Sequence, residues 1–309
     1  MLTIEAVSAW LRDHYGSPVA DLTEIVGGEW SRAYSFRHDR MDYVARFSRL
    51  EEDFRKDELA YTLASSHIAI PRVVEIGAAF DGFYAISERA FGESLDALAE
   101  PAMRRVLPAL FAVLDAARQV DLSHTTGYGI WGAAGVGRSI SWRASLLDVA
   151  TDGPTHRTSG WRARLAASPV GERPFNEAYG RLEALTARCP EIRHLVHADL
   201  LNNNVLVAGD QVAVVLDWGC ALYGDFLYDL AWLTFWQPWY PAWQAIDFRE
   251  EAVRHYAAIG LDVPQFAERL QAYEVHIGLA NQGYSAFKGR WDKLEAVANR
   301  TRAFAQGRG

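Results

Sequence analysis

Four side chains capable of chemistry crowd one short stretch, HLVHADLLNNNVLVAGDQVAVVLDWGCALYGDFLYD, between His194 and Asp229: His197, Asp199, Asn204 and Asp217. Val205-Leu206-Val207 and the run Val212 to Leu216 are apolar and β-branched, and Ala208-Gly209-Asp210-Gln211 between them has turn composition. The pattern predicts a hairpin of two buried strands. Asp199 and Asn204 precede its first strand and Asp217 follows its second, so the hairpin brings two carboxylates and an amide to one end. That donor set suits phosphoryl transfer with magnesium, a hard cation satisfied by one carboxylate, an amide oxygen, water and substrate phosphates. Asp217 is the expected main ligand and Asn204 a neutral one. Asp199, with a reference pKa of about 3.9, is read as a weak base that orients and accepts a hydrogen bond from the attacking hydroxyl. Positioning and charge neutralisation do most of the work in such a reaction, so a weak base suffices.

The order His197-x-Asp199-x-x-x-x-Asn204 followed by Asp217-Trp218 resembles the aminoglycoside phosphotransferase branch of the protein-kinase-like fold. The likeness is closer still to the hygromycin B phosphotransferases. It extends through Arg193-His194-Leu195-Val196-His197-Ala198-Asp199, Asn203-Asn204-Val205-Leu206, Gly224-Asp225 and Phe235-Trp236-x-Pro238-Trp239. Asp121-Leu122-Ser123, Thr126-Gly127-Tyr128-Gly129 and Ser31-Arg32-Ala33 belong to it too, so it runs over most of the chain. The resemblance implies an α+β fold of two lobes: residues 1–90 a small nucleotide-binding lobe around an antiparallel sheet, residues 91–309 a larger helical lobe for catalysis and the acceptor. It implies ATP and Mg²⁺ as cofactors, and an aminoglycoside, hygromycin B first, as acceptor in an antibiotic-resistance reaction. Another small hydroxylated metabolite or drug remains the alternative.

By the same resemblance, the turn Gly27-Gly28-Glu29-Trp30-Ser31 covers the nucleotide phosphates, with Gly28 allowing close approach and Ser31 donating; an ordinary hairpin turn has the same composition. Arg46, in the strand Tyr43 to Phe47, stands where kinases carry a lysine on the phosphates, a role a guanidinium can keep. Glu58, in a helix predicted from Glu51 to Ser66 with Phe54, Leu59 and Leu63 inward, is the expected partner of Arg46. Lys56, Asp57 and Glu58 also have the look of a solvated helix face. Glu88 and Ala90 are placed at the hinge, where backbone groups meet the adenine. Asn202, Asn203, Trp236 and Trp239 are expected to wall the acceptor site, the tryptophans by stacking on sugar faces. Asp225 as a cap, a buried Asp229 under the catalytic loop and His197 bonded to backbone are structural readings. Glu274 and Asp292 are candidates to face acceptor ammonium groups.

The remaining chain is read from its periodicity. Ile4, Val7, Trp10 and Leu11 predict a first helix capped by Thr3 and closed at Gly16. Strands are expected at Leu22 to Val26, Ala33 to Phe36, Val73 to Gly77 and Phe83 to Ser87. Helices are expected at Pro101 to Val120, Trp142 to Val149, Phe175 to Ala187, Phe248 to Ala258, Phe266 to Gly283 and Lys288 to Phe304. The glycine-rich stretch Thr125 to Arg138 reads as a long surface loop; without a GK[ST] ending it is no phosphate loop. With 309 residues, 50% hydrophobic, the chain can bury a large core. Its net charge of −8 disfavours a nucleic-acid partner and favours a cationic ligand. Two cysteines make no disulfide framework, and no apolar run is long enough to span a membrane, so a cytoplasmic monomer is expected. A rival use of His197, Asp199 and His255 as the facial triad of an iron and 2-oxoglutarate oxygenase leaves Asn204 and Asp217 without work. A non-catalytic binding protein leaves the whole constellation without work.

Overall fold

A computed structural model of the protein describes residues 2–25, 28–65 and 67–309. The chain opens with α1 (Ile4–Tyr15), started by the Thr3 hydroxyl accepting from the Ala6 N–H and ended by Gly16 at φ +68°. Next come β1 (Ala20–Ile25), β2 (Ser31–His38), β3 (Met41–Ser48), α2 (Glu51–Thr62), β4 (Val73–Ala79) and β5 (Gly82–Glu88). The strands form one antiparallel sheet in the order β1-β2-β3-β5-β4. Val7 and Leu11 of α1 bury against Tyr34, Phe36, Ala45, Phe47, Tyr84 and Ile86, every second residue of each strand, as a half-buried sheet requires. The expected strand end at Val26 and helix end at Ser66 lie outside the described residues; α2 itself stops at Thr62.

The larger part begins with β6 (Glu93–Ser94), which leaves the first sheet and joins another. It continues through α3 (Glu100–Arg118), β7 (Tyr128–Trp131), β8 (Gly137–Ser139), α4 (Trp142–Leu147), α5 (Trp161–Ala166) and α6 (Arg173–Leu185). The central stretch follows as β9 (His194–Val196), β10 (Val205–Ala208), β11 (Gln211–Val215) and β12 (Leu222–Gly224). Four helices finish the chain: α7 (Leu227–Trp236), α8 (Phe248–Ala258), α9 (Phe266–Lys288) and α10 (Trp291–Ala305). β10 and β11 make the predicted hairpin, with Val205 opposite Val215 and Ala208 opposite Gln211, and β6 pairs on the other edge of β10.

The glycine-rich stretch from Thr125 is not a plain loop. Its two halves pair as β7 and β8 in a four-stranded sheet, β8-β7-β12-β9. Close backbone approach accounts for the glycines: a Cβ on Gly127 would come within 2.3 Å of the Gly137 carbonyl oxygen. The central helix α7 is buried on nearly every face, packed against α9.

Asp225 ties this helical part together. Its fully buried carboxylate accepts two bonds from the Arg269 guanidinium at 2.8 Å, one from the Tyr273 hydroxyl at 2.6 Å and one from the Leu227 N–H at 3.2 Å. Phe226, not Asp225, is the N-cap of α7; Asp225 stands one residue earlier, accepts the Leu227 N–H and anchors α9. Removing one partner of a buried pair leaves the other charge uncompensated. Asp225→Ala is expected to lower the unfolding free energy by about 3–5 kcal/mol in urea titration; a loss within the range of a surface substitution would remove this pair as a constraint.

Candidate active site

The catalytic loop runs from β9 to β10. Its shape requires Ala198, Asn202 and Asn203 at φ +61°, +63° and +65°. Asn tolerates that region; Ala does not readily. Asp229, buried on α7, supplies the compensation by accepting the His197 N–H at 2.9 Å and the Ala198 N–H at 2.8 Å. Burial raises the Asp229 carboxyl to about 6 against the opposing pull of those two N–H groups. His197 is a structural residue as expected. Its Nδ1 accepts the Asp199 N–H at 3.2 Å, so Nε2 carries the proton and donates to the Leu216 carbonyl at 2.8 Å. Burial lowers its pKa to about 4, keeping the ring neutral.

Asp199, Asn204 and Asp217 gather at one end of the β10–β11 hairpin. The Asn204 carbonyl accepts the Leu216 N–H at 2.7 Å, clamping the two strand ends side by side. The Asn204 amide nitrogen donates to the Asp199 carbonyl at 2.8 Å, which turns its oxygen outward. Asp217, at φ +56°, accepts the Gly219 N–H on Oδ1 at 3.3 Å. Asn202 donates its amide to Asp199 Oδ1 at 2.9 Å. Asp199 is not the ordinary carboxylate assumed from its type. Burial at the floor of the cleft pushes its pKa up to about 7, with Asp217 and Asp96 adding to the rise and the Asn202 amide opposing it.

Across the cleft, Arg46 of β3 is paired with Asp57 of α2. Burial works against the guanidinium charge, but Asp57, then Asp217, more than restore it. Glu58, the expected partner, is exposed and bonds Arg55 at 3.2 Å, one turn along its own helix. Asp57 does more than pair: its other oxygen accepts the Trp218 N–H at 2.8 Å, right beside Asp217. Lys56 is also buried, not solvated. Its ammonium donates to the Gly219 carbonyl at 2.5 Å and the Ala221 carbonyl at 3.3 Å and stands 4.8 Å from the Trp131 ring centre. Burial lowers its pKa to about 8. The inward face of α2 is thus set by Phe54 and Ala60, with Asp57 between them and Glu58 off its edge. Leu59 and Leu63, expected inward, are partly buried against the neighbouring apolar cluster, so the inward face is broader than expected and takes in Asp57.

Of the other expected residues, Gly28 has φ +75°, and a Cβ there would lie 2.9 Å from the Ser31 carbonyl oxygen. Gly27 lies outside the described residues. Ser31 opens β2, opposite Ser48. Glu88 ends β5 with its N–H committed to the Arg72 carbonyl at 3.0 Å; Ala90 follows outside any helix or strand. Asn203 donates its N–H to Asp96 at 2.9 Å. Trp236 is 8% exposed and Trp239 37%, so only Trp239 reaches the rim; their rings lie 4.9 Å apart. Glu274 is buried against Thr234 and Arg249 and does not face the cleft. His255 is held by Asp115 at 2.6 Å and His197 by backbone, so the oxygenase triad is not assembled. Among the described residues no three His, Cys, Asp or Glu side chains form a metal cluster.

The profile of the phosphotransferase enzyme family matches residues 21–268. Hygromycin-B 4-O-kinase of Escherichia coli is 34% identical over 311 residues, taking in 99% of this chain and 84% of that one. This chain belongs to the aminoglycoside phosphotransferase family. A thermostable mutant of the phosphotransferase APH(4)-Ia, crystallised as a ternary complex with AMP-PNP and hygromycin B, superposes with a TM-score of 0.85. The two are 32% identical, and the match covers 97% of this chain and 98% of that one. Aminoglycoside 2'-phosphotransferase-IIIa, in its GDP complex, covers 100% of both chains with a TM-score of 0.70 at 12% identity, a likeness of fold alone. The phosphotransferase therefore has the two-lobed, protein-kinase-like α+β fold that its sequence resembles. No helix among its described residues is long and apolar enough to cross a membrane.

The donor set fits Mg²⁺. Asn204 turns an amide oxygen outward and Asp217 keeps Oδ2 beyond its bond to Gly219, both hard ligands of the kind that ion prefers. The phosphotransferase also uses residues that its sequence did not single out. Asp57 was hidden by the phase of α2. Asp96 is brought to the catalytic loop by the β6–β10 pairing, and no local pattern marks it.

Two outcomes are expected. Asp57→Ala should cost about 3–5 kcal/mol of stability and weaken nucleotide binding, whereas Glu58→Ala should stay within about 0.5 kcal/mol; chemical denaturation and nucleotide titration measure both. A carboxylate that accepts a hydroxyl proton must itself be unprotonated, and Asp199 is the expected acceptor. With its pKa raised to about 7, kcat/KM should fall as pH drops below that value, approaching tenfold per pH unit. An acid limb near the ordinary carboxylate range would contradict the environment described.

Proposed function

We propose that this phosphotransferase transfers the γ-phosphoryl group of ATP to a hydroxyl of an aminoglycoside, with hygromycin B as the leading acceptor, and so confers antibiotic resistance. Residues 1–90 form the nucleotide lobe and residues 91–309 the catalytic and acceptor lobe in this reading. The observation that carries it is the convergence of Asp199, Asn204 and Asp217 at one hairpin end, facing an arginine held by Asp57. The full-length likeness to a hygromycin-B 4-O-kinase supports the choice of acceptor.

Each residue has a defined task. Asp199 orients the acceptor hydroxyl and takes its proton, while the Asn202 amide fixes one carboxylate oxygen and leaves the other to the hydroxyl. Arg46 neutralises phosphate charge, and Gly28 and Ser31 cover the phosphates. The Glu88 carbonyl and Ala90 N–H meet the adenine. Asn204 and Asp217 would hold Mg²⁺, which supplies charge neutralisation on the phosphates when bound. Asn203, Trp239 and the edge of Trp236 form the acceptor wall. Phosphorylation gives a cationic drug a group of about −1.5 to −2 charge, which opposes binding to ribosomal RNA.

ADP release with MgATP across an acceptor panel tests the proposal. Hygromycin B should support turnover, and Asp199→Asn should lower kcat by about 10²–10⁴ with nucleotide affinity retained. Turnover restricted to other acceptors would remove the hygromycin reading; undiminished turnover by Asp199→Asn would remove the base.

A further inference from the structure

The turn between α9 and α10 brings three cations, Lys288, Arg290 and Lys293, beside the glycine turn of the small lobe. Two are matched: Glu29 lies 3.6 Å from Lys288 and 2.5 Å from Arg290. Lys293, in the first turn of α10, is different. Among the described residues no carboxylate lies within ion-pair distance of its ammonium group, which stands 4.9 Å from the Trp236 ring centre. Trp236 in turn packs against the half-exposed Trp239. Burial lowers the Lys293 pKa most and Arg290 adds to this, while Glu29 and Asp199 favour its cation. Lys293 therefore stands on the aromatic wall, next to the turn that Glu29 anchors, partly desolvated and held on an indole face.

A site for a polycationic drug would be expected to offer carboxylates on this wall. Of the two candidate carboxylates for that task, Glu274 is buried and spent on Arg249 and Thr234, and Asp292, one residue before Lys293, lies about 100° away round α10. A fixed cation raises the cost of placing an ammonium group beside it, and its three N–H donors favour oxygen acceptors. Resting on the aminoglycoside reading above, we propose that Lys293 is a specificity-determining residue. It donates hydrogen bonds to hydroxyl or ring oxygens of the acceptor where the acceptor meets the Trp236–Trp239 wall, and it rejects acceptors that present an ammonium group there. The preferred acceptor class is an oxygen-rich aminocyclitol glycoside whose amines lie away from that wall; densely aminated kanamycin-type drugs are disfavoured.

Calorimetric binding of hygromycin B and of kanamycin to the enzyme loaded with AMP-PNP tests this without requiring turnover. Lys293→Glu should shift the kanamycin-to-hygromycin affinity ratio toward kanamycin by roughly tenfold or more, the effect of one charge contact reversed. Lys293→Met should shift it in the same direction by less, and Lys293→Arg should keep the wild-type ratio. Where wild type binds neither drug, kanamycin binding gained by Lys293→Glu supports the proposal and no gain overturns it. A ratio unchanged within twofold in both Glu and Met variants, with AMP-PNP affinity intact, also overturns it. Absence of hygromycin B turnover by wild type would instead overturn the acceptor assignment and leave the affinity ratio to decide the role of Lys293.

Discussion

The Asp57 carboxylate is the constraint on which the site depends. One oxygen pairs with Arg46 and the other accepts the Trp218 N–H, so Arg46 and the neighbouring Asp217 are set against each other by one buried group. A buried carboxylate with a single partner would be costly; with a guanidinium and a backbone donor it is satisfied. The rest of α2 reinforces the link. Lys56 bonds two carbonyls of the Gly219–Ala221 turn, Glu52 meets Arg138 at 2.9 Å, and Asp53 meets Arg157 at 2.9 Å. The helix belongs to the small lobe by sequence, yet its inward side is fastened to the large one. These polar bonds act together with an apolar cluster in which Ala60, Ile68 and Ile70 join Val215, Trp218 and Tyr223.

The second dependency runs beneath the catalytic loop. Left-handed backbone at Ala198, Asn202, Asn203 and Asp217 costs roughly 1 kcal/mol or more per residue. Asx side chains soften three of the four. Ala198 has no such help, and there Asp229 provides two short bonds from α7. Asp96 fixes the Asn203 N–H from the other side. The loop is strained where it must present Asp199 and Asn204 together, and buried acceptors around it offset that strain. The same burial leaves Asp199 with a pKa near 7, better matched to proton transfer at neutral pH than its ordinary value.

Local pattern disclosed the elements whose causes are local. The Thr3 cap, the Gly209-Asp210 turn and the alternating strands of the first sheet all follow from neighbours a few residues apart. The catalytic constellation was legible for the same reason: a hairpin between Asn204 and Asp217 leaves its two ends adjacent. Causes distant in the chain were not legible. Glu58 rather than Asp57 was assigned to Arg46 because α2 derives its phase from a loop some 160 residues onward. The glycines after Thr125 looked like a loop because the strand β12 that completes their sheet arrives much later. Glu274 looked available until Arg249 and Thr234 closed around it.

By itself the sequence determined the chemistry: which oxygens and amides stand at the hairpin end, and that they suit magnesium-assisted phosphoryl transfer. Spacing along one short segment is enough for that, since the β10–β11 ladder holds it rigid. Only the tertiary structure decided how that chemistry is poised and restricted. The carboxylate that holds Arg46, the raised pKa of Asp199 and the place of the Lys293 cation on Trp236 all come from groups far apart in sequence. Charge, burial and partner are properties of the folded neighbourhood, which no residue type or local spacing specifies.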